Sequence, residues 1–384
     1  MIKINEGILK LNSEVVELRR RIHQYPERGF NEYKTSEFIK NKLKEYGVDE
    51  IHASAKTGVI GILRGINGAY TTAFRADIDG LPVQEDNTCD YKSLNEGCMH
   101  ACGHDGHTAA LLGFVKYAVQ NRNQIKDHLV FIFQPAEEGP GGAEVMVSEG
   151  IIEKYRIDRI VGLHIFPEYP QGKVAAKAGA LMARNGEVGI TVKGQTAHGA
   201  MPHKGKDAIV TAANFVMAAQ SLMSRNIDPM SSAVFTMGKI NGGEAGNVIA
   251  DEVHIVGTMR AFSDDVYDTL VKRIEDIAKG MGDAYDCEIK VDFNHMYRVV
   301  QNDEHLVSAL QKAVGAEDFI EAKPAMISED FSFFQQKVPG MFFFVGSYNE
   351  EAGYTHPLHS SKFNFNEDIL MTAIQVYWNL LQEI

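Results

Sequence analysis

Cysteine is scarce in this sequence. Cys89, Cys98, Cys102 and Cys287 are four in 384 residues, too few and too irregularly spaced for a disulfide framework. Basic residues are also in deficit, 38 Lys and Arg against 51 Asp and Glu, for a net charge of −13. The chain therefore lacks the basic face that a nucleic-acid or anionic-membrane partner requires. No apolar run approaches the roughly 20 residues of a spanning helix. The opening MIKINEGILKLNSEVVELRRR has no signal-peptide core and reads as an amphipathic helix. Internal repeats and low-complexity tracts are missing too. These absences point to a reduced, soluble, cytoplasmic protein. What remains, 45% hydrophobic and 23% charged residues, is an ordinary globular composition, and the length suits two domains.

The first half alternates short apolar runs with helical patterns. Val15, Leu18 and Ile22 recur at spacings of three and four, and a second helix covers about Tyr33–Tyr46, stopping at Gly47. Gly58–Leu63, Thr71–Phe74, Leu129–Phe133 and Ile160–His164 read as buried strands, with a helix over about Thr108–Val119. This alternation predicts a doubly wound α/β layer, whose ligands sit beyond the carboxyl ends of the strands. From about Asn185 the order becomes strand, helix, strand, strand, helix, strand, a ferredoxin-like βαββαβ sandwich. Helix–strand alternation of the first kind then resumes at His305–Val314. The expected organisation is a discontinuous main domain, residues 1–184 and 299–384, with residues 185–298 inserted.

Several segments carry metal-ligand chemistry. MHACGHDGH (99–107) packs Cys102, His104, Asp105 and His107 into six residues, read as a glycine-rich loop; thiolate and imidazole suit zinc and its neighbours. The strand before Gln134 is followed by Glu137 and Glu138, adjacent carboxylates able to take different tasks, one on a metal and one on a water. His164 ends another strand, and His356 and His359 lie in THPLHSSKF. Each segment alone has a plainer reading: a surface loop, a solvated acidic turn, a core histidine. Their joint occurrence at strand ends and adjoining loops favours a metal site. In the insertion, His198 lies in TAHGAMPH, Asn247 follows GGEAG, and Arg260 ends a strand. Arginine offers a fork for a carboxylate and asparagine can donate to an oxyanion, but turn residues and a surface ion pair fit the same spacing.

In these motifs the chain resembles the M20 family of metal-dependent amidohydrolases and peptidases, in its aminoacylase-like branch. The similarity runs from RRRIHQYPERGFNEYKT (19–35) through FRADIDGLP (74–82), MHACGHDGHTA (99–109), FQPAEEGPGGA (133–143), GLH (162–164), TAHGAMPH (196–203) and NVIADEVHIVGTMR (247–260). It continues through SEDFSFF (328–334) to PLHSSKF (357–363). The background in 165–183, 224–243 and 323–331 is similar to bacterial N-acetyldiaminopimelate deacetylases.

The resemblance implies Cys102, His104, Glu138, His164 and His359 as ligands of two divalent ions (zinc, manganese, nickel or cobalt), and Glu137 as the general base. It implies that Asp77 orients the site from behind, that His198 serves the partner subunit's site in a homodimer, and that Asn247 and Arg260 hold the intermediate and the substrate carboxylate. Where many M20 peptidases have a metal-binding HxD, this chain has Arg75-Ala76-Asp77, so Arg75 is no ligand. The expected activity is hydrolysis of small N-acyl, chiefly N-acetyl, amino acids. Alternatives are deacetylation of N-acetyldiaminopimelate specifically, a metallo-carboxypeptidase or dipeptidase, and, less favoured, a non-catalytic binding protein.

Overall fold

A computed structural model describes residues 2–384. The chain divides into two compact units, one of Met1–Leu181, Gln301–Lys323 and Asp330–Ile384, the other of Met182–Val300 and Pro324–Glu329.

The larger unit is built on an eight-stranded mixed sheet. In spatial order its strands are Glu50–Ser54, Gly58–Leu63, His128–Gln134, Thr71–Asp77, Arg159–Pro170, Gly340–Tyr348, Val174–Ala176 and Phe319–Glu321. His128–Gln134, Thr71–Asp77, Arg159–Pro170 and Gly340–Tyr348 run parallel to one another. Gly58–Leu63 and Thr71–Asp77 are buried along their whole length, as strands covered on both faces must be. The helix Tyr33–Tyr46 stops where the glycine signal places it, with Gly47 at φ 83°.

One boundary differs in a way that matters. The helix expected from about Thr108 begins at His104 and runs to Gln120, so HDGH forms its first turn and not a loop. Gly106 looks like a loop residue, but a Cβ there would lie 2.6 Å from Ile165 Cδ1 and 2.6 Å from Phe365 Cζ. It is glycine for close packing. Gly103, at φ 87°, supplies the backbone reversal that starts the helix.

The smaller unit has the expected order: strand Arg184–Lys193, helix Ala208–Arg225, strands Ala233–Gly242 and Glu252–Ala261, helix Asp264–Tyr285 and strand Glu288–His295. The first strand pairs antiparallel with the third and fourth, and the third with the second. Val188, Ile190 and Val192 alternate inward against Phe215, Leu222, Leu270 and Ile274 of the helices. Asp207 caps the first helix through the Ile209 and Val210 amides, and Ser263 caps the second through that of Val266. Among the described residues no helix is long and apolar enough to cross a membrane.

Candidate metal centre

The parallel strands deliver the site. Thr71–Asp77 and His128–Gln134 run side by side and end together, Asp77 opposite Gln134. Beyond the first lies Asp79, beyond the second Glu137 and Glu138. His164 lies on the neighbouring strand, and Cys102 and His104 flank Gly103 at the helix start. His359 enters from a C-terminal loop, its amide bonded to the Ala101 carbonyl at 2.8 Å and its backbone at φ 65°.

These side chains converge. Ligand atoms of Cys102, His104 and His164 lie within 4.8 Å of one another, and so do those of Cys102, Glu138 and His359. A third group within the same limit is His104, Glu137 and Glu138. Cys102 thus belongs to two adjacent triads. His356, the other histidine of THPLHSSKF, is exposed and belongs to no such group.

The nitrogens are committed in a pattern that fits cations. His104 donates from Nδ1 to the Asp79 carbonyl at 3.0 Å, with Asp79 Oδ1 at 3.2 Å, which leaves Nε2 buried and unpartnered. His164 donates from Nδ1 to the Ile165 carbonyl at 2.7 Å, so its Nε2 lone pair faces Cys102 Sγ at 3.4 Å. Glu138 Oε1 is also buried without an aligned hydrogen bond, though His359 Nε2 is 3.1 Å away. A buried polar atom without a partner costs about 1–3 kcal/mol. Two of them, 3.9 Å apart and both of metal-ligand type, fit a site made for metal ions.

Electrostatics agree. Burial disfavours a charged His104, but Asp77, Asp79 and Glu138 outweigh it and raise the imidazole to about 10. Burial, with Glu138 and Glu137 nearby, pushes the Cys102 thiol well up. Without cations the centre holds protons, and metal binding would displace them. His164 is held neutral by burial and by His107 beside it.

Three residues singled out in the sequence have other work. His107 donates from Nδ1 to Asp77 at 2.7 Å and accepts the Ile165 amide at Nε2 at 2.8 Å, which uses both ring nitrogens. Asp105 is bound by Arg19 Nε and His23 Nδ1, each at 2.8 Å. Arg75 is fully buried, its guanidinium on Asp77 at 2.8 Å, Asp330 at 3.0 Å and Gln134 at 2.7 Å. Burial opposes ionisation of Asp77, but His104, His107 and Arg75 hold it well below the usual carboxylate range.

Asp77 grips His107 and Arg75, with its Oδ2 at 3.7 Å from His104 Nε2. The residue bonded to Nδ1 of His104 is Asp79, which also accepts the Glu138 amide at 3.0 Å. Sequence reasoning missed Asp79, though it stands two residues from Asp77 in the same DID motif, an alternation that was a usable signal.

In the smaller unit, His198 and Asn247 are neighbours. Ala197–His198 pairs with Val248–Ile249, and the Asn247 carbonyl accepts the Gly199 amide at 2.8 Å. His198 is exposed and accepts the Ala200 amide at Nδ1. Arg260 has one guanidinium nitrogen buried and unpartnered, and burial lowers its pKa.

The model of peptidase family M20/M25/M40 matches residues 73–383. An N-acetyldiaminopimelate deacetylase of Exiguobacterium sibiricum is 39% identical over 370 residues, 96% of this chain and 98% of the relative. Its counterpart in Bacillus subtilis is 39% identical over 367 residues, 94% and 96%. Among solved structures, a dinuclear metal-binding M20 peptidase of Bacillus subtilis is 30% identical, with a TM-score of 0.85 over 97% of this chain and 98% of that one. End-to-end identity at this level and the shared two-part fold make the chain a hydrolase of peptidase family M20.

Proposed function

We propose that the protein hydrolyses the amide bond of N-acetyl amino acids, and that its substrate is N-acetyldiaminopimelate. The observation that carries the chemistry is the pair of ligand triads meeting at Cys102, with Glu137 Oε2 at 3.9 Å from His104 Nε2. Relatives matched over at least 94% of this chain and named as N-acetyldiaminopimelate deacetylases favour that substrate over N-acyl amino acids in general. A dinuclear relative of the same family supports a two-metal occupancy.

Cys102, His104, Glu138, His164 and His359 would hold the ions. Two bound divalent ions lower the pKa of a water toward about 7 and polarise a carbonyl. Glu137 accepts a proton from the attacking water at its carboxylate and passes it to the departing amine nitrogen. The acyl carbon gains the oxygen as the C–N bond breaks, giving acetate and the free amino acid. Asp79 and Asp77 fix the ring and charge environment around His104.

His198, Asn247 and Arg260 complete this reading. Arg260, with a guanidinium nitrogen in want of an anion, clamps the substrate carboxylate. Asn247 and His198 donate to the oxyanion, His198 across a homodimer formed by the smaller unit. Exposed Ile209, Met217, Met230 and Ile240 on that unit support such a pairing. A reducing cytoplasm suits four free cysteines, one of them a ligand.

The test is a substrate panel with metal-loaded enzyme: N-acetyldiaminopimelate, other N-acetyl amino acids and unblocked dipeptides. The highest kcat/KM is expected on N-acetyldiaminopimelate. Cleavage of dipeptides with N-acetyl compounds untouched would replace the deacetylase by a peptidase.

A further inference from the structure

We propose that Glu32 is a positioning residue for Glu137, holding in place the turn from which that base projects. The inference rests on the assignment of Glu137 as base. Glu32 belongs to the PERGFNE stretch (26–32), which the chemistry above leaves without a role. Its side chain is buried. One carboxylate oxygen accepts the Ala136 amide at 2.9 Å and the other accepts the Thr57 hydroxyl at 2.7 Å.

Ala136 needs holding. It sits at φ 55°, in the left-handed region that is unfavourable for a residue with a Cβ. Its carbonyl accepts the amides of Gly141 and Gly142, each at 3.1 Å, so the chain folds back on this residue. Glu137 and Glu138 follow directly, and the Glu138 amide is bound by Asp79 at 3.0 Å. Glu137 is thus flanked by two amides, each anchored to a carboxylate from a different part of the chain. Gly29 makes a second, independent contact with the same turn. A Cβ there would lie 2.6 Å from the Gly139 carbonyl oxygen and 2.9 Å from Ala136 Cβ, so the 26–32 segment lies flush on the turn with no room for a side chain.

The experiment measures kcat, KM, metal content and thermal midpoint for Glu32→Gln, Glu32→Asp, Glu32→Ala and Gly29→Ala. Gln keeps both bonds, its carbonyl accepting from Ala136 and its amide donating to the Thr57 oxygen; Asp keeps the charge but falls short. Positioning predicts kcat near wild type for Gln and about 10-fold lower for Asp. It predicts a loss on the order of 10²-fold for Ala, the cost of displacing a catalytic group by about 1 Å. Gly29→Ala should lower kcat as well, and KM and metal content should hold in all four. The reverse order, Asp active and Gln inactive, would make Glu32 a proton carrier and overturn the proposal; so would wild-type kcat in Glu32→Ala. Should Glu32→Ala fail to fold, the order of Gln and Asp decides. Glu137→Gln is measured alongside. Full activity there removes the base assignment itself, whereas an inactive Glu137→Gln beside an unaffected Glu32→Ala removes only the positioning role.

Discussion

Arg19, Glu32, Arg75, Asp77, Asp79 and Asp105 are all buried in the larger unit, together with His104 and His164. The smaller unit instead buries Val188, Ile190, Phe215, Ile255 and Leu270, and leaves Ile209, Met217, Met230 and Ile240 exposed. The first sets a cluster of buried charge beside a large apolar core that includes Phe74, Leu111 and Phe114, and most of these carboxylates and imidazoles are paired because an unpaired one is costly. The second has an apolar core of the common kind, while exposed aliphatic side chains occur in both units, Ile66 and Leu94 of the larger among them. The candidate chemistry gathers in the larger unit's buried carboxylates and imidazoles, of which the smaller unit has no comparable cluster among the described residues. Substitutions in the two units are expected to differ accordingly.

The largest effect is expected from Cys102→Ala, because the two triads meet at this thiol. Metal content should fall, and kcat/KM should drop by more than the roughly 10–100-fold that losing a partner behind a metal ligand costs. Oxidants and chelators should act likewise, with recovery on adding reductant and metal; full activity in Cys102→Ala under limiting metal would contradict this. Next comes the lid. His198→Ala and Glu137→Gln chains, each inactive alone, should regain about a quarter of wild-type activity when mixed equally, since half the dimers are mixed and each holds one intact site. No recovery despite demonstrated subunit exchange would confine His198 to its own subunit. Arg260→Ala should raise KM by about 10–100-fold, the value of a charge-assisted bond to a carboxylate, with kcat changed less. An unchanged KM would remove the clamp.

The smallest effect is a pH dependence at Glu32. Burial lifts its carboxyl to about 6; the Thr57 and Ala136 bonds oppose the rise and Asp79 adds to it. Because the folded value exceeds the unfolded one, the native state favours the neutral acid. The penalty is absent below about pH 4.5, grows through about 6, and reaches about 2 kcal/mol above that. Glu32→Gln should therefore raise the thermal midpoint by about 2–4 °C at pH 8 and leave it unchanged at pH 4. Equal shifts at both pH values would show that the charge is not what burial penalises.

Much of this was legible in the sequence. Gly58–Leu63 is buried on both faces and so reads as an unbroken apolar run, and the βαββαβ order follows from switches between periods of two and 3.6. Cys102, His104, Glu138, His164 and His359 are singled out as a set by the family resemblance, the segments that carry them having plainer readings one by one. Glu32 did not stand out, for a physical reason. A carboxylate that bonds to a backbone amide far along the chain looks, in sequence, like any solvated acid, and its role appears only once burial is known. The helix start at His104 was hidden by Gly106, a packing glycine with the appearance of a loop residue. The strands Glu50–Ser54, Val174–Ala176 and Phe319–Glu321 went unread because they are short and lie toward the sheet's edges, where alternation is brief.

The proposed division of work between the adjacent glutamates puts Glu138 on metal and Glu137 on the proton. It is tested most directly by measuring metal content and turnover in Glu137→Gln and Glu138→Gln side by side. Glu137→Gln is expected to keep two ions per chain and to lose turnover by about 10²–10⁴-fold, while Glu138→Gln loses metal and activity together. Near-wild-type turnover in metal-loaded Glu137→Gln, or a full metal complement in Glu138→Gln, would contradict it.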